Sequence, residues 1–253
     1  MSSSSLGYFD LEFFHNIPAL RIGQTLIVAD LHLGYSVGMY RFSTRAKERY
    51  SMYQAISFLS LISTIRDRRL RRLVILGDLK EDIGFPRKYI LRALEKLLVR
   101  LSQQFDRIYV VRGNHDGRLI DIVDHLGLDI YVVDHLTLKS PSGNVLLTHG
   151  HMKAPYNDFA SAKLIVMGHI HPATDISKVF VTAEFSLRKS KKTLIVIPAA
   201  NPILQGIPID CNAIWNSLLR IAPQELHRDL KLETIKLLSR VLTETTLCNK
   251  KEE

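Results

Sequence analysis

The chain has 253 residues, of which 46% are hydrophobic and 23% are charged, a composition typical of a folded protein with one large domain or two small ones. No apolar run approaches the roughly 18 residues that a membrane-spanning helix needs, and the serine-rich start lacks the apolar stretch of a secretory signal. The formal net charge of +9 favours polyanionic partners such as nucleic acid, although a basic surface also serves solubility alone.

The first half of the chain alternates short apolar runs with stretches of helical periodicity. The apolar runs predict buried strands over residues 25–29, 73–76 and 107–111. Apolar residues at helical spacing follow each run and predict helices over residues 44–65, 87–103 and 119–126. Strands that alternate with helices indicate a parallel sheet.

The second half changes to apolar runs joined by turns. These runs predict strands over residues 145–147, 164–167 and 193–197. The turn Pro141-Ser142-Gly143-Asn144 is typical of hairpin connections, so we expect a second, more antiparallel sheet over residues 130–197.

No composition shift or linker divides the chain, and we predict a single domain over residues 1–253. Its core would cover about residues 14–209, and a mostly helical segment would follow over about residues 210–253. Cys211 and Cys248 are the only cysteines, too few for a disulfide framework, which favours a reducing compartment and a cytoplasmic protein.

Polar side chains follow five of the predicted strands at the point where each strand ends. In chain order they are Asp30 and His32, Asp78, Asn114 and His115, His149, and His169 and His171. In open α/β sheets, ligands bind beyond the carboxyl ends of the strands. We therefore expect these carboxylates, imidazoles and one amide to meet at a common rim.

The residue types at this rim indicate a pair of divalent metal ions. Two ions about 3.5–4 Å apart can clamp the attacking and leaving oxygens of a phosphoryl displacement. A carboxylate between them would neutralise charge, and several imidazoles favour Mn, Fe or Zn over Mg or Ca. Each short motif is common by itself, whereas the ordered set after successive strands predicts a two-metal site.

These motifs resemble those of the calcineurin-like metallophosphoesterase superfamily. They read Asp30-x-His32, Gly77-Asp78, Gly113-Asn114-His115-Asp116, His149 and Gly168-His169-Ile170-His171. The segments VADLHLGYSVGMYR, LGDLKEDIG, RGNHDG, THGH, MGHIHP and IPAANPILQG further resemble the archaeal SbcD-related phosphoesterases, a group close to the DNA-ligase-associated phosphoesterases of bacteria. The resemblance runs from about Phe14 to Ile209.

The resemblance implies an α/β fold, a two-sheet αββα sandwich, with two divalent ions, foremost Mn, with Fe, Zn, Co and Ni as alternatives. The first ion would be held by Asp30, His32, Asp78 and His171. The second would be held by Asp78, Asn114, His149 and His169. Asp78 would bridge them, and a metal-bridging hydroxide would attack the phosphorus in line. His115 would act as a general acid or orient the phosphate, and Asp116 would pair with it and raise its pKa.

Four further residues are candidates for substrate binding. His151 either faces the cleft or supports its loop, and Lys80 and Arg41 either contact a phosphate or are solvated. Asn201 either closes the site or is a structural amide in a turn.

The resemblance implies a phosphodiesterase, and the basic charge favours a nuclease that acts on DNA or RNA, with a DNA-repair protein as a partner. A phosphoesterase for a small nucleotide and a non-catalytic scaffold of the same fold are the alternatives. The arginine of the protein-phosphatase motif G-D-x-x-D-R-G is missing, which argues against that class. Only about 45 residues follow Ile209, too few for the large DNA-binding region of full-length SbcD nucleases.

Overall fold

A six-stranded mixed sheet forms the first half of the protein in the computed structural model, which describes residues 9–14, 17–35, 37, 42–65, 69–175, 177–238 and 245–249. In spatial order its strands are β1 (Leu11–Phe14), β2 (Ala19–Ile22), β3 (Thr25–Val28), β4 (Arg72–Ile75), β5 (Arg107–Val111) and β6 (Ile130–Val133). The first three are antiparallel, and β3 to β6 run parallel.

Three helices cover the outer face of this sheet: α1 (Thr44–Thr64), α2 (Lys88–Ser102) and α3 (Leu119–Leu126). The hydroxyl of Ser43 accepts a hydrogen bond from the backbone N–H of Ala46 and so caps the start of α1. Along α2, Ile90, Leu94 and Leu97 recur at helical spacing and are fully buried. Both helices therefore pack an apolar stripe against the sheet.

A seven-stranded mixed sheet forms the second half. Its strands are β7 (His135–Leu138), β8 (Asn144–Thr148), β9 (Ala162–Met167), β11 (Phe180–Leu187), β12 (Ser190–Val196), β14 (Leu230–Leu238) and β15 (Thr245–Asn249), in the spatial order β15-β14-β11-β12-β9-β8-β7. A separate parallel pair joins β10 (Pro172–Ala173) to β13 (Ile207–Pro208). The helices α4 (Tyr156–Ser161) and α5 (Cys211–Ile221) pack their apolar residues on this sheet.

The two sheets pack face to face through apolar side chains that both contribute. Ile27 and Val74 come from the first sheet, Leu147 and Ile195 from the second, and all four are fully buried. Helices lie on the two outer faces, so the layers follow the order helix, sheet, sheet, helix. The predicted αββα sandwich is confirmed.

The prediction of a mostly helical C-terminal segment is wrong, because α5 is followed by a short 3-10 helix (Gln224–Asp229) and then by β14 and β15. The buried residues of β14 are Leu230, Leu232, Ile235 and Leu237. An irregularity in the pairing of β14 with β11 shifts the register between Leu232 and Thr234. The inserted residue breaks the alternation of apolar and polar residues by which a strand is recognised in a sequence.

Two smaller predictions concern the membership and the strand directions of the second sheet. Residues 130–133 were assigned to the second sheet, but they form β6 at the edge of the first. The second sheet is the more antiparallel of the two, as predicted: among the described strands four of its pairings are antiparallel, and only the pairings of β9 with β8 and with β12 are parallel. Cys211 is disulfide-bonded, so the cysteine content gives no support to a reducing compartment and the cytoplasmic location stays a prediction. Within the described ranges, no helix combines the length and the apolar character of a membrane span.

Candidate metal centre

The loops after β3, β4, β5, β8 and β9 meet at one edge of the sandwich, because these strands run parallel within their sheets. Backbone hydrogen bonds tie the loops together. The N–H of His32 donates to the carbonyl of Asp78 at 2.7 Å, and the N–H of Gly168 donates to the carbonyl of His149 at 3.1 Å. The N–H of His169 reaches the carboxylate of Asp30 at 2.9 Å. The seven predicted metal ligands therefore come together at one site.

The first group of donors contains Asp30, His32 and His171, whose ligand atoms lie within 4.8 Å of one another. The Oδ1 atom of Asp30 is 3.2 Å from Nε2 of His171. These two atoms and Nε2 of His32 are buried and form no hydrogen bond. Buried polar atoms without a partner are costly, and a cation between them would satisfy all three. The residues present thus fit a metal ion.

The second group contains Asp78, Asn114, His149 and His169. The Nε2 atom of His149 lies 3.1 Å from Nδ1 of His169, 3.3 Å from Oδ1 of Asn114 and 3.4 Å from Oδ2 of Asp78. Four donor atoms from four loops thus surround one small volume. Imidazole and carboxylate ligands of this kind suit a transition-metal ion.

Asp78 lies between the two groups. Its Oδ2 atom is 3.4 Å from Nε2 of His32 in the first group and 3.4 Å from Nε2 of His149 in the second. Only 2% of the residue is exposed to solvent. The position is that expected of a carboxylate that bridges two ions.

The ionisable groups of the centre are strongly coupled. Burial by itself would raise the pKa of the Asp78 carboxyl, but its hydrogen bond to His149 and the charge of that ring hold the pKa well below its usual value. Burial disfavours charge on His149, yet Asp78 and Asp30 raise the pKa of its imidazole to about 9. Burial, and then the charge of His149, lower the pKa of His169 to about 4. One proton on His149 therefore compensates the negative charge of the buried carboxylates, and a metal ion bound there would displace this proton.

Five of the predicted ligands adopt a backbone conformation that side chains other than glycine rarely take. Among the described residues, positive φ angles are found at Asp30 (56°), His32 (44°), Asp78 (49°), His169 (71°) and His171 (44°). Such conformations cost free energy and persist where the surrounding structure enforces them, as at functional sites. A Cβ atom on Gly113 would approach Oδ1 of Asp78 to 2.2 Å, so the residue before Asn114 must lack a side chain.

His115 stands beside the first donor group, with its ring centroid 4.9 Å from that of His32. Its Nδ1 atom is 2.5 Å from the carbonyl oxygen of Glu81, so Nδ1 carries a proton and donates it. Its backbone N–H donates to Oδ1 of Asp78 at 2.8 Å. The Nε2 atom is then the nitrogen left to face a substrate.

The predicted pairing of Asp116 with His115 is wrong. Both carboxylate oxygens of Asp116 accept backbone hydrogen bonds at 2.9 Å, one from Leu79 and the other from Gly113. Burial raises the pKa of this carboxyl, and only 1% of the residue is exposed. Asp116 therefore fixes the two loops that carry Asp78 and Asn114. Adjacent residues of this tight turn point in different directions, which the sequence order conceals.

Lys80 does not contact substrate either, because the residue is fully buried. Its ammonium group donates to the carbonyl oxygens of His115 at 2.5 Å, Gly84 at 2.9 Å, Ile83 at 3.3 Å and Asp82. Burial lowers the pKa of this amine. Lys80 thus joins the loop after β4 to the loop that carries His115.

The other three substrate-binding candidates differ in outcome. Asn201 is fully buried and is a structural amide: its Nδ2 donates to the carbonyl of Leu31 at 2.8 Å, and its Oδ1 accepts from the N–H of Ile203. His151 is half-buried, with its ring 5.2 Å from that of His149, and its substrate contact stays a prediction. Arg41 lies outside the described residues.

Sequence reasoning missed two residues that support the centre. The carboxylate of Glu81 lies 2.8 Å from Nδ1 of His32, which leaves Nε2 of that ring for a metal ion. The ammonium of Lys178 donates to the carbonyls of Ala199 and Asn201, and burial lowers its pKa to about 8. Glu81 could have been noticed as a carboxylate three residues after Asp78, whereas nothing in the sequence marks Lys178.

Comparisons with known proteins show a family match and similar solved structures. Residues 23–196 match the family model described as calcineurin-like phosphoesterase. The crystal structure of the Pseudomonas putida nuclease MPE has a TM-score of 0.52 to this structure at 19% identity, over 80% of this chain and 92% of that one. Yfce, a phosphoesterase from E. coli, gives a TM-score of 0.39 at 18% identity, over 88% of this chain and 96% of that one. No curated protein matches the chain.

Proposed function

The chain belongs to the calcineurin-like phosphoesterase family and is a hydrolase of phosphoric ester bonds, and from this we propose that it hydrolyses phosphodiesters with two metal ions. The observation that carries the proposal is the place of Asp78, whose Oδ2 lies 3.4 Å from an imidazole nitrogen of each donor group. A site for a single ion would need only one of the two groups of donor atoms around the carboxylate of Asp78. Nucleic acid is the proposed substrate class, because the chain carries a net charge of +9.

The residues that would hold the ions are those of the two groups. Asp30, His32, Asp78 and His171 would hold one, and Asp78, Asn114, His149 and His169 the other. When bound, two divalent cations lower the pKa of a shared water and neutralise charge on the phosphoryl oxygens. Manganese is the proposed metal, because the site mixes imidazoles with hard oxygen ligands.

The chain's own contribution to turnover centres on His115. In its imidazolium form the proton on Nδ1 is held by the carbonyl of Glu81, and the proton on Nε2 is free for a phosphate or leaving-group oxygen. Because its N–H also donates to Asp78, the ring is fixed relative to the metal ligands. A scaffold without catalysis would have no need of this arrangement.

Hydrolysis of bis-p-nitrophenyl phosphate tests the proposal most directly. We expect turnover with added Mn²⁺ and none after chelation, with single-stranded DNA and RNA also cleaved. The variant Asp78→Asn should bind neither ion tightly and lose turnover. Asp124→Asn, the same change on an exposed residue of α3, is the matched control and should behave as the wild type.

Three outcomes would contradict the proposal. A protein that is inactive on diesters with every divalent ion tested is a scaffold. Asp78→Asn with two fully occupied ions, measured by metal analysis after gel filtration, would refute the bridging role. Turnover of p-nitrophenyl phosphate with no turnover of the diester would indicate a monoesterase instead.

A further inference from the structure

An aromatic pocket lies on the first turns of α1, outside the metal centre. It is lined by Phe42, Ala46, Arg49, Tyr50 and Tyr53 and has a volume of about 370 Å³. Phe42 is 42% exposed and Tyr53 is 62% exposed, so the pocket is an open surface feature and not a part of the core. We call these five residues the α1 pocket.

The α1 pocket is tied to the loop that carries the first metal ligands. The side chain of Gln54, next to Tyr53, accepts a hydrogen bond from the N–H of Gly34 at 2.7 Å and donates to the carbonyl of Tyr35 at 3.2 Å. Gly34 is only two residues beyond His32. Gln54 therefore joins the helix that carries the pocket to the loop that carries His32.

The charges around the α1 pocket are mostly positive. Three cationic residues, Arg45, Lys47 and Arg49, lie on the first turns of α1. The one acid between residues 42 and 53 is Glu48, and its carboxylate pairs with Arg92 at 2.8 Å. An apolar protein partner would gain nothing from these cations, whereas a phosphate chain would.

Aromatic rings beside arginines are the combination that binds single-stranded nucleic acid, because every nucleotide offers a base whose π-face can stack on a ring and a backbone phosphate that can pair with a cation. The volume of the α1 pocket lies near the lower end of the range for small-molecule sites, about 300–1,000 Å³, and suits one base. We propose that the α1 pocket binds a base of a single-stranded nucleic acid while Arg45 and Arg49 contact its phosphates. This inference rests on the proposed function and names its substrate class.

The test compares two oligonucleotides with the same backbone. One carries ten thymines and the other ten abasic residues, both with hydrolysis-resistant phosphorothioate links, and their affinities for the Mn²⁺-loaded chain are measured by fluorescence anisotropy. Stacking contributes about 1–3 kcal/mol per base, so we expect the thymine oligonucleotide to bind about tenfold more tightly. Tyr53→Ala should remove most of this preference, and Tyr53→Phe should keep it. Arg49→Ala should weaken the binding of both oligonucleotides equally.

The matched control is Ile56→Ala, which removes an exposed apolar side chain one turn further along α1 and outside the pocket. It should leave both affinities unchanged. Equal affinity of the wild type for both oligonucleotides, or an equal loss for both in Tyr53→Ala, would overturn the base subsite. A change of oligomeric state in Tyr53→Ala, seen by light scattering with the base preference intact, would show that a second copy of the chain covers the pocket.

Parallel hydrolysis of bis-p-nitrophenyl phosphate by the wild type separates this inference from the proposed function. Normal turnover without a base preference would refute the α1 pocket alone. No turnover with any metal would refute the phosphodiesterase, whatever the oligonucleotides show.

Discussion

Replacing Lys80 with methionine should cost both stability and turnover. The ammonium group of Lys80 is fully buried and donates to carbonyls of two loops, that of His115 among them at 2.5 Å. A hydrogen bond to a charged group contributes about 1.5–3 kcal/mol, and a buried acceptor left without a donor costs about 1–3 kcal/mol. Gly84 is exposed, so water can replace the lysine at its carbonyl, whereas the carbonyl of His115 loses its donor. Methionine recovers part of the loss by apolar packing. We expect a net loss of about 3 kcal/mol in the free energy of unfolding.

The assay for Lys80→Met is urea unfolding together with steady-state hydrolysis of bis-p-nitrophenyl phosphate at saturating Mn²⁺. A loss of this size lowers the melting temperature of a chain of this length by roughly 10 °C. Since the freed loop carries His115, kcat should fall by about tenfold or more, with a smaller change in KM.

The chain offers a matched control for this experiment. Lys192 is also buried, with 3% of its surface exposed, and its ammonium donates to the carbonyls of Ala160 and Ala162 at 2.8 and 2.5 Å. Ala160 lies in α4 and Ala162 begins β9, and neither element contains a predicted metal ligand, so Lys192→Met should lose similar stability and keep the wild-type kcat. Equal kcat values for the two variants would refute the positioning role of Lys80. A stability loss below about 1 kcal/mol in Lys80→Met would refute the reasoning on its hydrogen bonds.

Further predictions concern Glu81, His115 and His149. Glu81→Ala should weaken Mn²⁺ binding by about 10- to 100-fold, because the ring of His32 loses the partner that orients it; an unchanged affinity by calorimetry would contradict this. His115→Gln should keep both ions by metal analysis and lose about 100-fold or more in kcat; equal loss of metal would show that it is a ligand. In the metal-free protein the pKa of His149 is raised from 6.5 to about 9. The stability from this proton is fully present below pH 6.5 and is lost as the pH rises towards 9. Urea unfolding of the wild type after chelation should show that the free energy of unfolding falls between pH 6.5 and 8. The same fall in a His149→Asn variant would rule out the proton on His149 as its cause. Mn²⁺ affinity should rise over the same pH range.

Much of the fold follows from local patterns. The helices α1, α2 and α3 and the strands β3, β4, β5, β8 and β9 were predicted within about two residues, because short apolar runs and helical periodicity are strong local signals. The antiparallel strands β1, β2, β14 and β15 were not. Each of β1 and β2 is only four residues long, and irregular registers interrupt the pairing of β14 with β11 and with β15, so the alternating pattern of a strand is short or broken there.

The superfamily resemblance is confirmed by the family match, and the narrower resemblance to SbcD-related phosphoesterases stays a prediction. The sequence also indicated which side chains converge, because each follows an apolar run. Parallel strands bring such positions to one edge whatever the details of packing.

The sequence by itself determined the types, order and approximate positions of the predicted metal ligands, since these depend on strand ends and on short motifs. Only the tertiary structure decided what the neighbouring residues do. Asp116, Lys80 and Asn201 all lie within or near the motifs, yet each bonds to backbone groups of loops distant in the sequence. The reason is physical: a hydrogen-bond partner is chosen by distance and direction in space, and the fold brings these side chains against backbone groups that lie 35 to 170 residues away along the chain.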